Sequence, residues 1–151
     1  MPWKLVASVA AVVLALAIAA PAVAQQPASA PTLYKRLGGY DSMAAVTDDF
    51  LRRLTSDPSF ARFFSGHSTD SLKKIRQLIV DQLCAATGGP CVYIGRDMKT
   101  SHAGLAITEK DWDTSVKHLT ATLDELNVPA KEKTEVLTAI SGLRKDIVEK
   151  P

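Results

Sequence analysis

Charge of one sign is missing from this chain. Its 151 residues carry 18 Lys and Arg against 16 Asp and Glu, a formal +2, which supplies no basic footprint for nucleic acid or for an anionic membrane surface. Cysteine and histidine are scarce: two of the first and three scattered copies of the second do not make a four-ligand zinc set. No stretch alternates apolar and polar residues as a half-buried strand would. The apolar run from Leu5 to Ala20 is shorter than the roughly 20 residues a bilayer-spanning helix needs. Nucleic-acid binding, membrane insertion, a structural zinc site and a β architecture are therefore all disfavoured.

The amino terminus has a purpose of its own. Met1 to Ala24 combines one early lysine, the Leu5–Ala20 run and a small-x-small end at Ala22-Val23-Ala24, which together predict a secretory signal peptide. No cysteine follows Ala24, so lipid anchoring is not expected. Without Lys4 the chain has 17 basic and 16 acidic side chains. Residues 25–31, rich in Ala, Pro, Ser and Gln, predict a flexible leader. The ordered domain is expected over residues 32–151, exported, and periplasmic in a Gram-negative source.

Helical spacing dominates the remainder. Met43, Val46, Phe50 and Leu54 recur on one face from Asp41 to the Asp57-Pro58 break. Three of the four phenylalanines, Phe60, Phe63 and Phe64, follow in a short segment closed by Ser65-Gly66. Leu72, Ile75, Ile79, Leu83 and Ala86 form a second stripe that ends at Gly88. Thr108 with Asp111 is a short-armed capping box opening a helix faced by Trp112, Val116, Leu119, Leu123 and Leu126. Pro129 starts the last helix, with Val136, Leu137, Ile140, Leu143 and Ile147 inward. Four amphipathic stripes must bury one another, and an all-α two-layer packing does so. Cys84 and Cys91 flank the Gly88-Gly89-Pro90 reversal. In an exported protein they either form a disulfide, worth about 2 kcal/mol for so short a loop, or stay as buried thiols.

Between Gly88 and the capping box the pattern changes. Tyr93 to Ser101 has no sustained period and predicts a loop with at most one helical turn, after which the chain presents His102 between Ser101 and Ala103-Gly104. On residue type alone such a histidine is an ordinary core or surface residue. A neutral imidazole on a short glycine-bounded segment opposite an apolar helix is also what a five-coordinate haem iron requires. With Leu33-Tyr34-Lys35-Arg36-Leu37-Gly38-Gly39 near the start and Phe63-Phe64-Ser65-Gly66 between, the chain after residue 31 resembles a truncated haemoglobin of group 1.

The resemblance implies a two-over-two helical sandwich, with the Asp41 and Asp70 helices paired on one side and the Thr108 and Pro129 helices on the other. It implies haem b, held non-covalently since no C-x-x-C-H motif is present, with His102 as the iron ligand and its other ring nitrogen on a main-chain carbonyl of the 97 to 99 turn. Phe64 matches the family's haem-stacking phenylalanine, and Met98 falls beside the ligand. Where many relatives carry a ligand-stabilising tyrosine this chain has Leu51, beside Phe50. Where they carry polar side chains on the next long helix it has Ile75, Leu78 and Ile79. Gln77, Gln82, Lys74 or Arg76 would reach the pocket only if that helix rotates, while His67 and His118 are read as solvated and structural or exposed. An apolar pocket weakens dioxygen retention, which gains from a hydrogen-bond donor, more than binding of carbon monoxide or nitric oxide. The expected function is reversible binding or transport of a diatomic gas by a monomer or weak dimer, with an unidentified reductase as a further partner. Nitric oxide dioxygenation, peroxidase-like chemistry, a six-coordinate electron-transfer haem and a haem-free helical module are the competing readings.

Overall fold

The computed structural model describes residues 30–150, and the expected signal peptide, most of the leader and Pro151 lie outside the described residues. Four short and four long helical stretches follow one another: α1 (Leu33–Arg36), α2 (Tyr40–Ser56), a 3-10 turn (Pro58–Phe60), α3 (Ala61–Phe64), α4 (Thr69–Ala86), α5 (Met98–His102), α6 (Glu109–Glu125), α7 (Ala130–Ser141) and α8 (Arg144–Ile147). The only β feature among the described residues is an isolated bridge between Thr108 and Lys150.

Sequence-local chemistry sets most of these limits. Ser68 caps α4 by accepting the Ser71 amide at 3.2 Å, and Asp97 caps α5 by accepting that of Thr100 at 2.8 Å. Thr108 and Asp111 form the expected reciprocal box at the start of α6. The final helix departs from expectation. It stops at Ser141, with Pro129 as its cap, and resumes as α8 only after Gly142-Leu143. Leu126, counted on the inward face of α6, is the C-cap residue and is 39% exposed. The periodicity ran on past the point where the backbone turns.

Helices α2 and α4 pack together, α6 and α7 pack together, and α2 crosses α6. This is the two-layer arrangement expected. Val46 of α2 meets Leu119 and Leu123 of α6 and Val136 of α7 in one core cluster, while Met43 of α2 meets Val80 and Cys84 of α4 in another. α2 is thus the shared beam. Polar ties reinforce it: Asp49 accepts from Arg53 Nε at 2.6 Å and from the fully buried Thr122 hydroxyl at 2.7 Å. Burial opposes charge on Asp49, but the hydrogen bonds from Arg53, Arg52 and Thr122 outweigh it and hold the carboxyl well below the usual range. Cys84 and Cys91 are joined as a disulfide across a Cα separation of 5.7 Å, which ties the end of α4 to the segment leading to α5. No helix among the described residues is long and apolar enough to cross a membrane.

Candidate haem site

His102 closes the short helix α5, and three local devices shape the approach to it. Asp97 accepts the Thr100 amide and hydroxyl, each at 2.8 Å. The Arg96 carbonyl accepts the Tyr93 hydroxyl at 2.6 Å and the Ser101 hydroxyl at 3.1 Å. Tyr93 folds back so tightly that a β carbon at Gly95 would lie 2.4 Å from its ring, so the turn needs glycine there. Backbone amide and hydroxyl bonds from Thr100 hold the Asp97 carboxyl below its ordinary range, which keeps the cap charged.

The imidazole itself is half-buried, and its Nδ1 lies 2.8 Å from the Met98 carbonyl oxygen. A carbonyl can only accept, so Nδ1 carries the proton and Nε2 keeps its lone pair. The acceptor sits inside the 97 to 99 turn expected from the sequence. The tautomer so fixed is the one that a metal-ligating histidine requires.

Across from α5, the register of α4 is set by its other contacts. Val80 and Cys84 are fully buried against α2. Arg76 makes a two-pronged pair with Asp48 of α2, at 2.5 and 2.8 Å, and Gln77 bonds Tyr40 and Asp81. Ile75 and Ile79 each precede one member of the Arg76–Val80 row, which places them about 100° around the helix from it. Both are half-buried, as are Leu72 and Leu78. None of these four belongs to either core cluster or packs against one, and the same holds for Leu51, Phe63, Phe64 and Met98. Phe50 differs: it packs against the Val46–Leu119 cluster. The principal packing partner of α5 is α8 rather than α2 or α4. Half-buried apolar side chains on α2, α3 and α4 with no core partner, facing the sequence of a histidine with a bare Nε2, fit a flat apolar cofactor with one axial ligand. Val92 and Ile94, at 75% and 83% exposure, add uncovered apolar surface to the loop before α5.

Other residues fall elsewhere. His67 and Lys74 are exposed, and Gln82 is half-buried. His118 donates from Nε2 to Asp57 at 2.8 Å and meets the buried Phe60 ring edge-on. The sequence reading had no signal for that pair, which is brought together by the 3-10 turn. An internal apolar cavity of about 150 Å³ lies among Met43, Val46, Leu83 and Leu123. It borders the core rather than α5 and is too small for a porphyrin, since cofactor-sized pockets run to roughly 300 Å³ or more.

The family model for bacterial-like globins matches residues 32–149. A group 1 truncated haemoglobin of Mycolicibacterium paratuberculosis is 34% identical over 122 residues, covering 81% of this chain and 85% of that one. The chain belongs to the group 1 truncated haemoglobins. Among solved structures, the truncated haemoglobin of Tetrahymena pyriformis in its Fe(III) form superposes with a TM-score of 0.71 at 30% identity, over 78% of this chain and 98% of that one. The 2/2 haemoglobin of a Synechococcus, in the cyanomet state and with covalently attached haem, gives 0.71 at 27% identity over the same shares. As a truncated haemoglobin, this chain is a haem-binding globin with the all-α two-over-two fold. Three further Tetrahymena pyriformis structures are of variants that alter a tyrosine or one of two glutamines.

Proposed function

We propose that this truncated haemoglobin is exported, holds haem b non-covalently through His102, and binds a diatomic gas reversibly. The observation that carries the reading is the hydrogen bond from His102 Nδ1 to the Met98 carbonyl at 2.8 Å, which leaves Nε2 as the bare nitrogen on a half-buried ring. Ferrous haem, when bound, supplies an iron that takes one axial nitrogen and offers the opposite position to a small ligand. The chain's own residues do the remainder. Asp97 and the Arg96 carbonyl hold the turn that aims the imidazole. Phe64 and Met98 supply apolar contact surface, and Leu51, Ile75 and Ile79 exclude water from the far side. Non-covalent retention is supported by the want of any C-x-x-C-H motif, and the covalent attachment in the Synechococcus relative makes it a point to measure.

Binding is favoured over dioxygenation by the distal residues. Arg76 and Gln77 are occupied by Asp48, Tyr40 and Asp81, so neither is free to donate above an apolar Leu51–Ile75–Ile79 wall. Gln82, half-buried one turn beyond Ile79, is the remaining polar side chain of that row. Export is supported by the Met1–Ala24 leader and by the Cys84–Cys91 disulfide, a bond that persists in oxidising compartments.

The test is an absorption spectrum of the haem-loaded chain, reduced and then exposed to carbon monoxide, beside His102→Ala. A five-coordinate ferrous spectrum that shifts on carbon monoxide, and that His102→Ala abolishes until imidazole is supplied, is the expected result. A spectrum indifferent to His102→Ala defeats the assignment. Amino-terminal sequencing of the secreted chain should begin at Gln25; recovery of an intact Met1 terminus in the cytosol defeats export.

A further inference from the structure

The chain leaves His102 through an unusual piece of backbone. Gly104 has φ +82° and Ala106 φ +52°, the second an uncommon conformation for a residue with a β carbon. These two residues turn their amide N–H groups to one point, and a carboxylate fills it. Gly104 N donates to Glu149 Oε1 and Ala106 N to Glu149 Oε2, each at 2.6 Å. Backbone amides converging around left-handed residues make an anion-binding concavity; here the anion comes from the carboxy-terminal segment of the same chain. The attachment is doubled by the main chain, because the amides of Glu149 and Lys150 both donate to the Ile107 carbonyl, at 2.9 and 3.1 Å.

His102 is therefore gripped from both ends. On the amino side stand the Asp97 cap and the Arg96 carbonyl. On the carboxy side stands Glu149, two residues past the end of α8, the element against which α5 packs. The turn between is short: the Leu105 amide donates to the His102 carbonyl at 3.2 Å, so a movement of the Gly104–Ala106 turn is passed directly to the histidine backbone.

We propose that Glu149 is a positioning residue for His102: its carboxylate fixes the Gly104–Ala106 turn and, through it, the rotation of the imidazole about the iron–nitrogen axis. This rests on the reading of His102 as the haem ligand. The energetic link is to the orientation of the ring rather than to the fold, because Glu149 is exposed and its two hydrogen bonds serve a turn outside both core clusters.

The test uses the full chain, with Glu149→Ala, Glu149→Gln and His102→Ala, in two measurements. Amide hydrogen exchange of the haem-free proteins should quicken roughly tenfold at Gly104 and Ala106 in Glu149→Ala, the scale of losing a charge-assisted hydrogen bond. In Glu149→Gln, which keeps one acceptor oxygen, one of the two amides should regain protection. The iron–histidine stretching band of the ferrous haem-loaded protein should shift or broaden in Glu149→Ala and return toward its position in Glu149→Gln, with haem loss to an acceptor globin quickened about threefold in Glu149→Ala. Unchanged exchange at both amides overturns the clamp. Faster exchange with an unmoved iron–histidine band overturns the positioning role and leaves a surface staple. If His102→Ala keeps the band, the ligand assignment itself has failed, and that outcome is separate from the other two.

Discussion

At the level of single residues, the difference between this chain and a strongly dioxygen-retaining site comes down to side chains that donate no hydrogen bond. Leu51, Ile75 and Ile79 occupy the positions where, by the family resemblance, a donor would sit, and the neighbouring polar residues Arg76 and Gln77 are held by partners on α2 and α4. A single restored donor contributes about 1.5 kcal/mol to a polar ligand, or about tenfold in its release rate. Leu51→Tyr is therefore expected to slow dioxygen release about tenfold while changing carbon monoxide release by less than about twofold, read by stopped-flow ligand displacement. Equal slowing of both gases would mean that the new ring blocks the exit instead of donating. Gln82→Leu, by contrast, should leave both rates unchanged unless Gln82 reaches the ligand, in which case dioxygen release alone quickens. A second residue-level device is the Asp57–His118 pair. Hydrogen bonds from His118 and from Ser59 lower the Asp57 carboxyl to about 2. Its folded value lies below its unfolded one, so its contribution to stability is complete above the unfolded value of about 3.9 and is lost as pH falls toward 2. Titration of the Asp57 carboxyl by NMR should show the low midpoint in the native chain and a return toward the ordinary value in His118→Ala; an unmoved midpoint would assign the effect to Ser59.

Among the elements, the segment joining α4 to α5 has the least support from packing and the most from bonds. Val92 and Ile94 are largely exposed, so the conformation of residues 91–97 depends on the disulfide, the Tyr93–Arg96 hydrogen bond and the Asp97 cap. Reducing Cys84–Cys91 should lower the stability of the folded chain by about 2 kcal/mol on the chain-entropy estimate for a short loop and raise amide exchange between Tyr93 and Asp97, with α6 and α7 unaffected. A thermal midpoint that ignores reduction would show that strain in the closed loop cancels the entropy gain. The elements were legible from sequence to different extents, for physical reasons. The Thr108–Asp111 box and the Gly88 stop are local signals and appear in the structure at their expected places. The break after Ser141 was hidden because Leu143 and Ile147 continue the helical period, while the change of direction at Gly142 is tied to contacts with Ile107 and Glu109 far away in sequence. The His102 turn could be recognised from its motif, whereas its Glu149 clamp spans 45 residues and has no local signature at all.

For the molecule as a whole, the division of apolar side chains between core and crevice has a thermodynamic consequence. Val46, Leu119, Leu123 and Val136, with Met43, Val80 and Cys84, bury themselves against one another around α2, and this core needs no cofactor. Leu51, Phe63, Phe64, Leu72, Ile75 and Ile79 stay half-buried with no place in either cluster. Their burial must come from something else, and apolar area removed from water is worth about 25 cal/mol per Å². The haem-free chain should therefore be folded through α2, α6 and α7 yet bind an environment-sensitive apolar dye, with its loosest exchange in α3 and in the first turns of α4. Adding haemin to one equivalent should displace the dye and raise the thermal midpoint by about 10 °C, since a ligand at a hundredfold excess over its dissociation constant contributes about 2.7 kcal/mol and each kcal/mol moves a domain of this size by roughly 4 °C. If instead the haem-free chain ignores the dye and haemin leaves its midpoint unmoved, the half-buried stripe is ordinary packing at a helix surface. The crevice between α4 and α5 would then not be where this globin gains its stability.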